Sequence, residues 1–205
     1  MVKEKKDTTT EQRILSAAKK VFIHKGMAGA RMQDIADEAG INKALVHYYF
    51  RNKDKLFDVI FTEAALKLFP RINIIFDSDA NLFEKIRRFV EEYITVMSEN
   101  PYLPMFVLNE INKDPETFLS HMKQKFGFPR PEKFLQQIEK EIKKGTIKKI
   151  SPLQLLLNLL SLCIFPFMVK PMFQLHIGVS EAQFKALMEQ RKKELPEFII
   201  DSIKK

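Results

Sequence analysis

Residues 31–50 read RMQDIADEAGINKALVHYYF. Ala36 follows Ile35 in a short helical pattern, and Gly40 stands four residues beyond it. Ile41 is apolar, and Asn42 is placed to cap a second short helix. Small residues let two helices cross closely, and glycine permits the left-handed backbone of a tight turn. An apolar residue in the turn fills the space between the helices. This is the layout of a helix-turn-helix, whose second helix is free to enter a major groove N-terminus first. The spacing predicts one helix over about 32–39 and another over about 43–49.

The polar side chains on this segment suit that use. Asn42 and the open N–H groups of the following turn can receive a phosphate. Lys43 can reach a base edge or a phosphate, and His47 and Tyr48 can donate hydrogen bonds to the backbone. Arg31 can meet a flanking phosphate, and Lys53 starts the next helix near the same strand. Met32, Gln33 and Ala44 complete the candidate DNA-binding set. Phosphate contacts of this kind position a protein, and one or two side chains read bases. Tyr49 and Phe50 fit core packing better than contact.

Working outward, helix signals come in series. Thr8 and Thr9 precede Glu11 and Gln12 at capping-box spacing. Ile14, Leu15, Ala18, Val21 and Phe22 then mark one face, and Gly26 ends it. Asn52 can cap a helix with a stripe of Leu56, Phe57, Ile60, Ala64 and Leu68, closed by Pro70. Leu82 to Met97 carries another apolar stripe. Pro101 to Ile111 reads as a short helix, and Asp114-Pro115 as a cap with proline at the first helical position. GFPRP at 127–131 is a break. Phe134 to Gly145 continues with helical period. Ser151-Pro152-Leu153-Gln154 combines a cap, an N1 proline and a box glutamine, and Ser180 with Gln183 repeats the box. Pro196 can kink the last helix. The expectation is an all-α chain of about nine helices. With its helix-turn-helix, the stretch 1–52 reads as a three-helix DNA-binding domain, and a larger helical domain spans 53–205.

Composition agrees. The 205 residues are 45% hydrophobic and 29% charged, with six glycines, which suits a helical chain with a substantial core. The formal charge is +8; residues 1–55 hold 12 Lys/Arg against 7 Asp/Glu, so the excess concentrates near the N-terminus. That favours an anionic partner there. The one cysteine, Cys163, lies in an apolar run and forms no pair that could hold zinc. A reducing cytoplasm suits it. The start, MVKEKKDTTT, does not read as a signal peptide. The apolar run 153–169 is interrupted by Gln154, Asn158, Ser161 and Pro166, and reads as a buried or dimer helix rather than a membrane span.

The resemblance then becomes specific. RILSAAKKVFIHKG at 13–26, MQDIADEAGINKA at 32–44, HYYF at 47–50 and NKDKLF at 52–57 resemble, in order and spacing, the DNA-binding region of the TetR family of bacterial transcriptional repressors. The remaining 150 or so residues resemble the family only in length and helical character. The resemblance implies a homodimer that binds double-stranded operator DNA through its N-terminal domain. It also implies a ligand pocket in the larger domain and pairing of two long C-terminal helices, here 153–169 and 180–203, with those of a second copy. Ligand binding would then move the two DNA-binding domains apart. Three positions depart from the family pattern: Ala30 where Thr is common, Leu45 where Thr or Ser is common, and His47 where Tyr is usual.

The larger domain is rich in Met and Phe. Tyr93, Met97, Phe106, Phe126, Phe165 and Met168 could line a cavity for an apolar small-molecule ligand, with Asn109, Glu110 and His121 as polar anchors. The same stripes could equally be core. No catalytic motif of known mechanics occurs, the four histidines are scattered, and no enzyme activity, cofactor or metal is expected. The rival reading is a DNA-binding regulator with no small-molecule ligand, an activator or one controlled by a partner protein. The Lys cluster at 140–149 reads as a solvated helix end.

Overall fold

The computed structural model describes residues 2–205, and their side chains apart from those of residues 2–8, His121 and Phe126. Eleven α-helices and one π-helical turn account for nearly all of it, and the described residues hold no strand beyond an isolated bridge between Ile147 and Lys204. The chain divides into two compact units, Met1–Ala65 and Leu66–Lys205.

The first unit contains α1 (Val2–Gly29), α2 (Met32–Ala39), α3 (Lys43–Tyr49) and the first half of α4 (Lys53–Asp77). α1 is already helical at Thr9, so the predicted cap at Thr8 and Thr9 is not the start; the Thr8 side chain lies outside the described residues. Gly26 breaks α1 as its position suggests, with φ 65° and ψ 172°. Ile14, Ala18, Phe22, Ile35, Ala36, Val46, Leu56, Phe57 and Ile60 form the core, with the rings of Phe22 and Phe57 5.5 Å apart.

The helix-turn-helix forms as its residues dictate. Gly40 adopts φ 64°, donates its N–H to the Asp37 carbonyl, and lets Ile41 donate to the Ala36 carbonyl. These paired bonds close α2 with the left-handed residue that glycine tolerates best. The guanidinium of Arg13 on α1 adds a bond to the Ala39 carbonyl at 2.8 Å. Asn42 then opens α3, its side chain accepting from the Leu45 N–H at 2.7 Å.

The second unit holds the rest of α4, then α5 (Leu82–Glu99), α6 (Leu103–Lys113), α7 (Pro115–Phe126), α8 (Glu132–Lys144), α9 (Pro152–Met168), α10 (Lys170–Met172), a π turn (Phe173–Ile177) and α11 (Glu181–Ile203). Phe76 stacks between Phe89 and Phe134 at 5.6 and 4.7 Å, and Leu155, Leu159, Cys163, Ile199 and Ile203 extend this core.

Pro70 does not end α4, contrary to the sequence reading. It removes the bond to the Leu66 carbonyl, but Pro70 and Leu66 are both exposed, so water can take that carbonyl. Beyond it, burial of Ile72, Ile75 and Phe76 favours continuation. Ser151 and Pro152 stand at the N-cap and N1 of α9 as read, but the Ser151 hydroxyl makes no cap bond. Ser180 and Gln183 do form the reciprocal box, at 3.2 and 2.8 Å. α9 continues past Pro166 because Arg191 on α11 donates to the Leu162 carbonyl, the group that proline orphans, at 3.0 and 3.3 Å.

No single helix is long and apolar enough to cross a membrane. α9 with the segment to Ile177 reaches the necessary length and apolarity together, but the two are bent by 48°. Leu155, Leu159, Cys163 and Phe167 of α9 are buried against protein.

Candidate nucleic-acid interface

α3 sorts its residues into two faces. Val46 is fully buried and Phe50, just past the helix, is buried too. Asn42, Lys43, Ala44, His47 and Tyr48 are all exposed, and Leu45 and Tyr49 lie at the boundary. Tyr48 is 82% exposed, extreme for an aromatic ring. It meets Tyr49 edge-on at 5.5 Å, which steers its ring without covering it.

The electrostatics of this face follow from where the carboxylates go. Asp34 on α2 pairs with Lys25 at 2.8 Å and also accepts from the Arg31 N–H at 2.9 Å. Lys25, then the Arg31 N–H, hold its carboxyl below the usual carboxylate range. Asp37 accepts from Gln33 at 2.7 Å, and Glu38 pairs with Lys20 at 2.9 Å. Lys43, by contrast, has no ion pair among the described residues. The three carboxylates of α2 are therefore occupied by other donors, and the ammonium of Lys43 stands exposed without one.

Two predicted contacts look different once placed. Lys53 is half-buried, and its ammonium donates to the carbonyls of Met27 and Ala30 at 2.6 and 3.1 Å. It ties the end of α1 to the start of α4, a positioning role that competes with any phosphate contact. Gln33 donates its amide to Asp37. Arg31 is exposed and Met32 half-exposed at the N-terminus of α2. Arg13, whose guanidinium closes α2, was missed because arginine in an amphipathic helix reads as solvated.

The second candidate set is not brought together. Met97 is core, and Tyr93 stacks on Phe89 at 5.4 Å, with burial pushing its hydroxyl well above the ordinary tyrosine range. Phe106 and Met168 are half-exposed. Phe165 is 58% exposed, so it is no cavity wall within this chain, and Phe167 takes the interior place instead, against Phe184 at 5.9 Å. Asn109 is exposed, and Glu110 pairs with Lys113 at 2.7 Å one turn on. The side chains of His121 and Phe126 lie outside the described residues. A groove of about 420 Å³ beside α5 and α11 is lined by Arg87, Glu91, Glu189, Lys192, Lys193, Pro196 and Glu197, none of them candidates.

Comparison with known proteins places this geometry. Residues 14–60 match the family described as "Bacterial regulatory proteins, tetR family". An uncharacterised HTH-type transcriptional regulator, YhgD of Bacillus subtilis, is 27% identical over 150 residues, which cover 68% of this chain and 72% of that one. The HTH-type transcriptional repressor SCO4008 of Streptomyces coelicolor is 42% identical over 59 residues, 29% of this chain and 31% of its own length. Among solved structures, a mutant form of HlyIIR aligns over 97% of this chain and 98% of its own, with a TM-score of 0.66 and 25% identity.

Proposed function

We propose that this chain, which belongs to the TetR family of bacterial regulatory proteins, is a DNA-binding transcription regulator that acts as a homodimeric repressor. The observation that carries the reading is the outer face of α3: Asn42, Lys43, Ala44, His47 and Tyr48 exposed together on a helix anchored by Val46. Tyr48 is 82% exposed, and Lys43 has no ion pair among the described residues. A phosphate-lined groove uses both. Arg31 is exposed and Met32 half-exposed at the start of α2, the first helix of the same motif. YhgD and SCO4008 are named as a regulator and a repressor, which supports the same reading.

The homodimer is inferred from an apolar stripe that this chain leaves uncovered. Leu153, Leu157 and Phe165 recur along α9 and are exposed, while Leu155, Leu159, Cys163 and Phe167 face inward. Leu187 and Phe198 are exposed on α11. A second copy can bury these faces against its own 153–169 and 180–203. In the full reading, an apolar small molecule releases the dimer from operator DNA in the cytoplasm. The alternative, a regulator without such a ligand, draws support from the exposure of Asn109 and Phe165 and the pairing of Glu110, which leave no gathered set of anchors.

The test is binding to a duplex selected from a random-sequence pool, with unrelated duplex as competitor. Lys43→Ala should weaken the selected complex by about 1–3 kcal/mol if Lys43 reads a base. Equal affinity of variant and parent at moderate salt would remove Lys43 from the interface.

A further inference from the structure

We propose that duplex binding by this protein takes up a proton at His47, so that affinity for DNA falls as pH rises. The inference rests on the DNA-binding reading of α3 and adds a regulatory property to it.

His47 is exposed on the face that carries Lys43 and Tyr48, and its Nδ1 lies 3.3 Å from the carbonyl oxygen of Arg51, one turn later. A carbonyl oxygen accepts and never donates. While the neutral ring keeps that bond, Nδ1 carries the proton and Nε2 a lone pair. Nε2 is the ring nitrogen left for a partner. A phosphate oxygen also only accepts, so a neutral His47 donates to it only by giving up the bond to the Arg51 carbonyl. The imidazolium makes both bonds at once, because both of its nitrogens then bear hydrogen. Bonding to a phosphate thus favours the charged ring, and the proton comes from solvent.

Several charged groups surround the ring. On its own segment the ionisable neighbours are Lys43, Tyr48, Tyr49 and Arg51. On α2, which packs against α3, they are Asp34, Asp37 and Glu38, bonded respectively to Lys25, Gln33 and Lys20. At the start of α4 they are Lys53, Asp54 and Lys55. Among the described residues no carboxylate bonds the ring. A duplex is the partner that brings the anion. Backbone phosphates stay ionised across the physiological range, and histidine is the side-chain type whose charge changes within it. A tyrosine at this position would donate at every pH in that range.

The experiment measures affinity for the selected duplex by fluorescence anisotropy at pH 6 and pH 8, over a salt series, for the parent, His47→Gln and His47→Tyr. The parent should bind roughly tenfold more weakly at pH 8 for each phosphate that His47 no longer bonds, since that bond is charge-assisted. Its salt dependence should also flatten by about 0.9 in log–log slope for each phosphate no longer neutralised. Both variants should be insensitive to pH. Equal affinity of the parent at both pH values, or a pH effect that survives in His47→Gln, overturns the inference and leaves the DNA-binding reading in place. So does tighter binding at pH 8, which would mean that the Nε2 lone pair accepts from a base. Failure to prefer the selected duplex at either pH overturns both.

Discussion

Gly40 sets the turn between α2 and α3. Its φ of 64° is the conformation that closes α2 and redirects the chain into α3. A Cβ there would meet Arg13 Nη2 at 3.6 Å, an ordinary contact, so the penalty for a side chain is conformational rather than steric. Gly40→Ala should cost about 1–2 kcal/mol, the penalty of left-handed backbone for an L-residue. Urea denaturation checks it: the midpoint should fall without a change in slope. An unchanged midpoint would mean that the turn relaxes to another conformation. The ends of α2 and α3 were legible because Gly40 and Asn42 announce themselves by residue type. The internal tasks of Arg13 and Lys53 were not, because a long basic side chain carries no mark of whether it turns inward to a helix end or outward to water.

At the level of elements, the prolines separate what sequence can and cannot say. Pro70, Pro166 and Pro196 all sit inside helices. A proline removes one bond wherever it stands, but the helix breaks only if nothing else takes the orphaned carbonyl. At Leu66 the surface does so; at Leu162 it is Arg191, 29 residues away. Such a partner is invisible to periodicity. Arg191→Met keeps most of the stem and removes the donors, so it should destabilise the protein by about 1–3 kcal/mol. Adding Pro166→Ala restores an N–H that can reach Leu162, and in that background Arg191→Met should cost clearly less. A double-mutant cycle on unfolding free energies reads this coupling, and strict additivity would show that the bond carries no stability. The apolar stripes of α4 and α5 were legible for the opposite reason: Leu56, Phe57, Ile60, Ile86, Phe89 and Val90 all face the core, as their spacing requires.

For the whole molecule, the division of labour follows from which apolar surface each unit leaves open. The first unit covers its core and exposes the polar, basic outer face of α3. Its extent to Ala65 reflects the first half of α4, whose Leu56, Phe57 and Ile60 complete that core. The second unit covers its core but leaves Leu153, Leu157, Phe165 and Phe198 in water. These exposed apolar side chains are the surface that the proposed dimer would cover. The candidate ligand residues were the least legible, because Met and Phe at helical spacing look the same whether they line a cavity, fill a core or meet a second chain. Phe165 and Phe167, two positions apart on α9, point to opposite fates. The central claim is that a dimer presents two copies of α3 to one duplex, and the measurement that tests it most directly is the stoichiometry of the selected complex by sedimentation velocity. We expect a dimer in the absence of DNA and two protomers on each duplex, bound in preference to unrelated sequence. A monomer on its own, or a complex that shows no preference for the selected duplex, would contradict it.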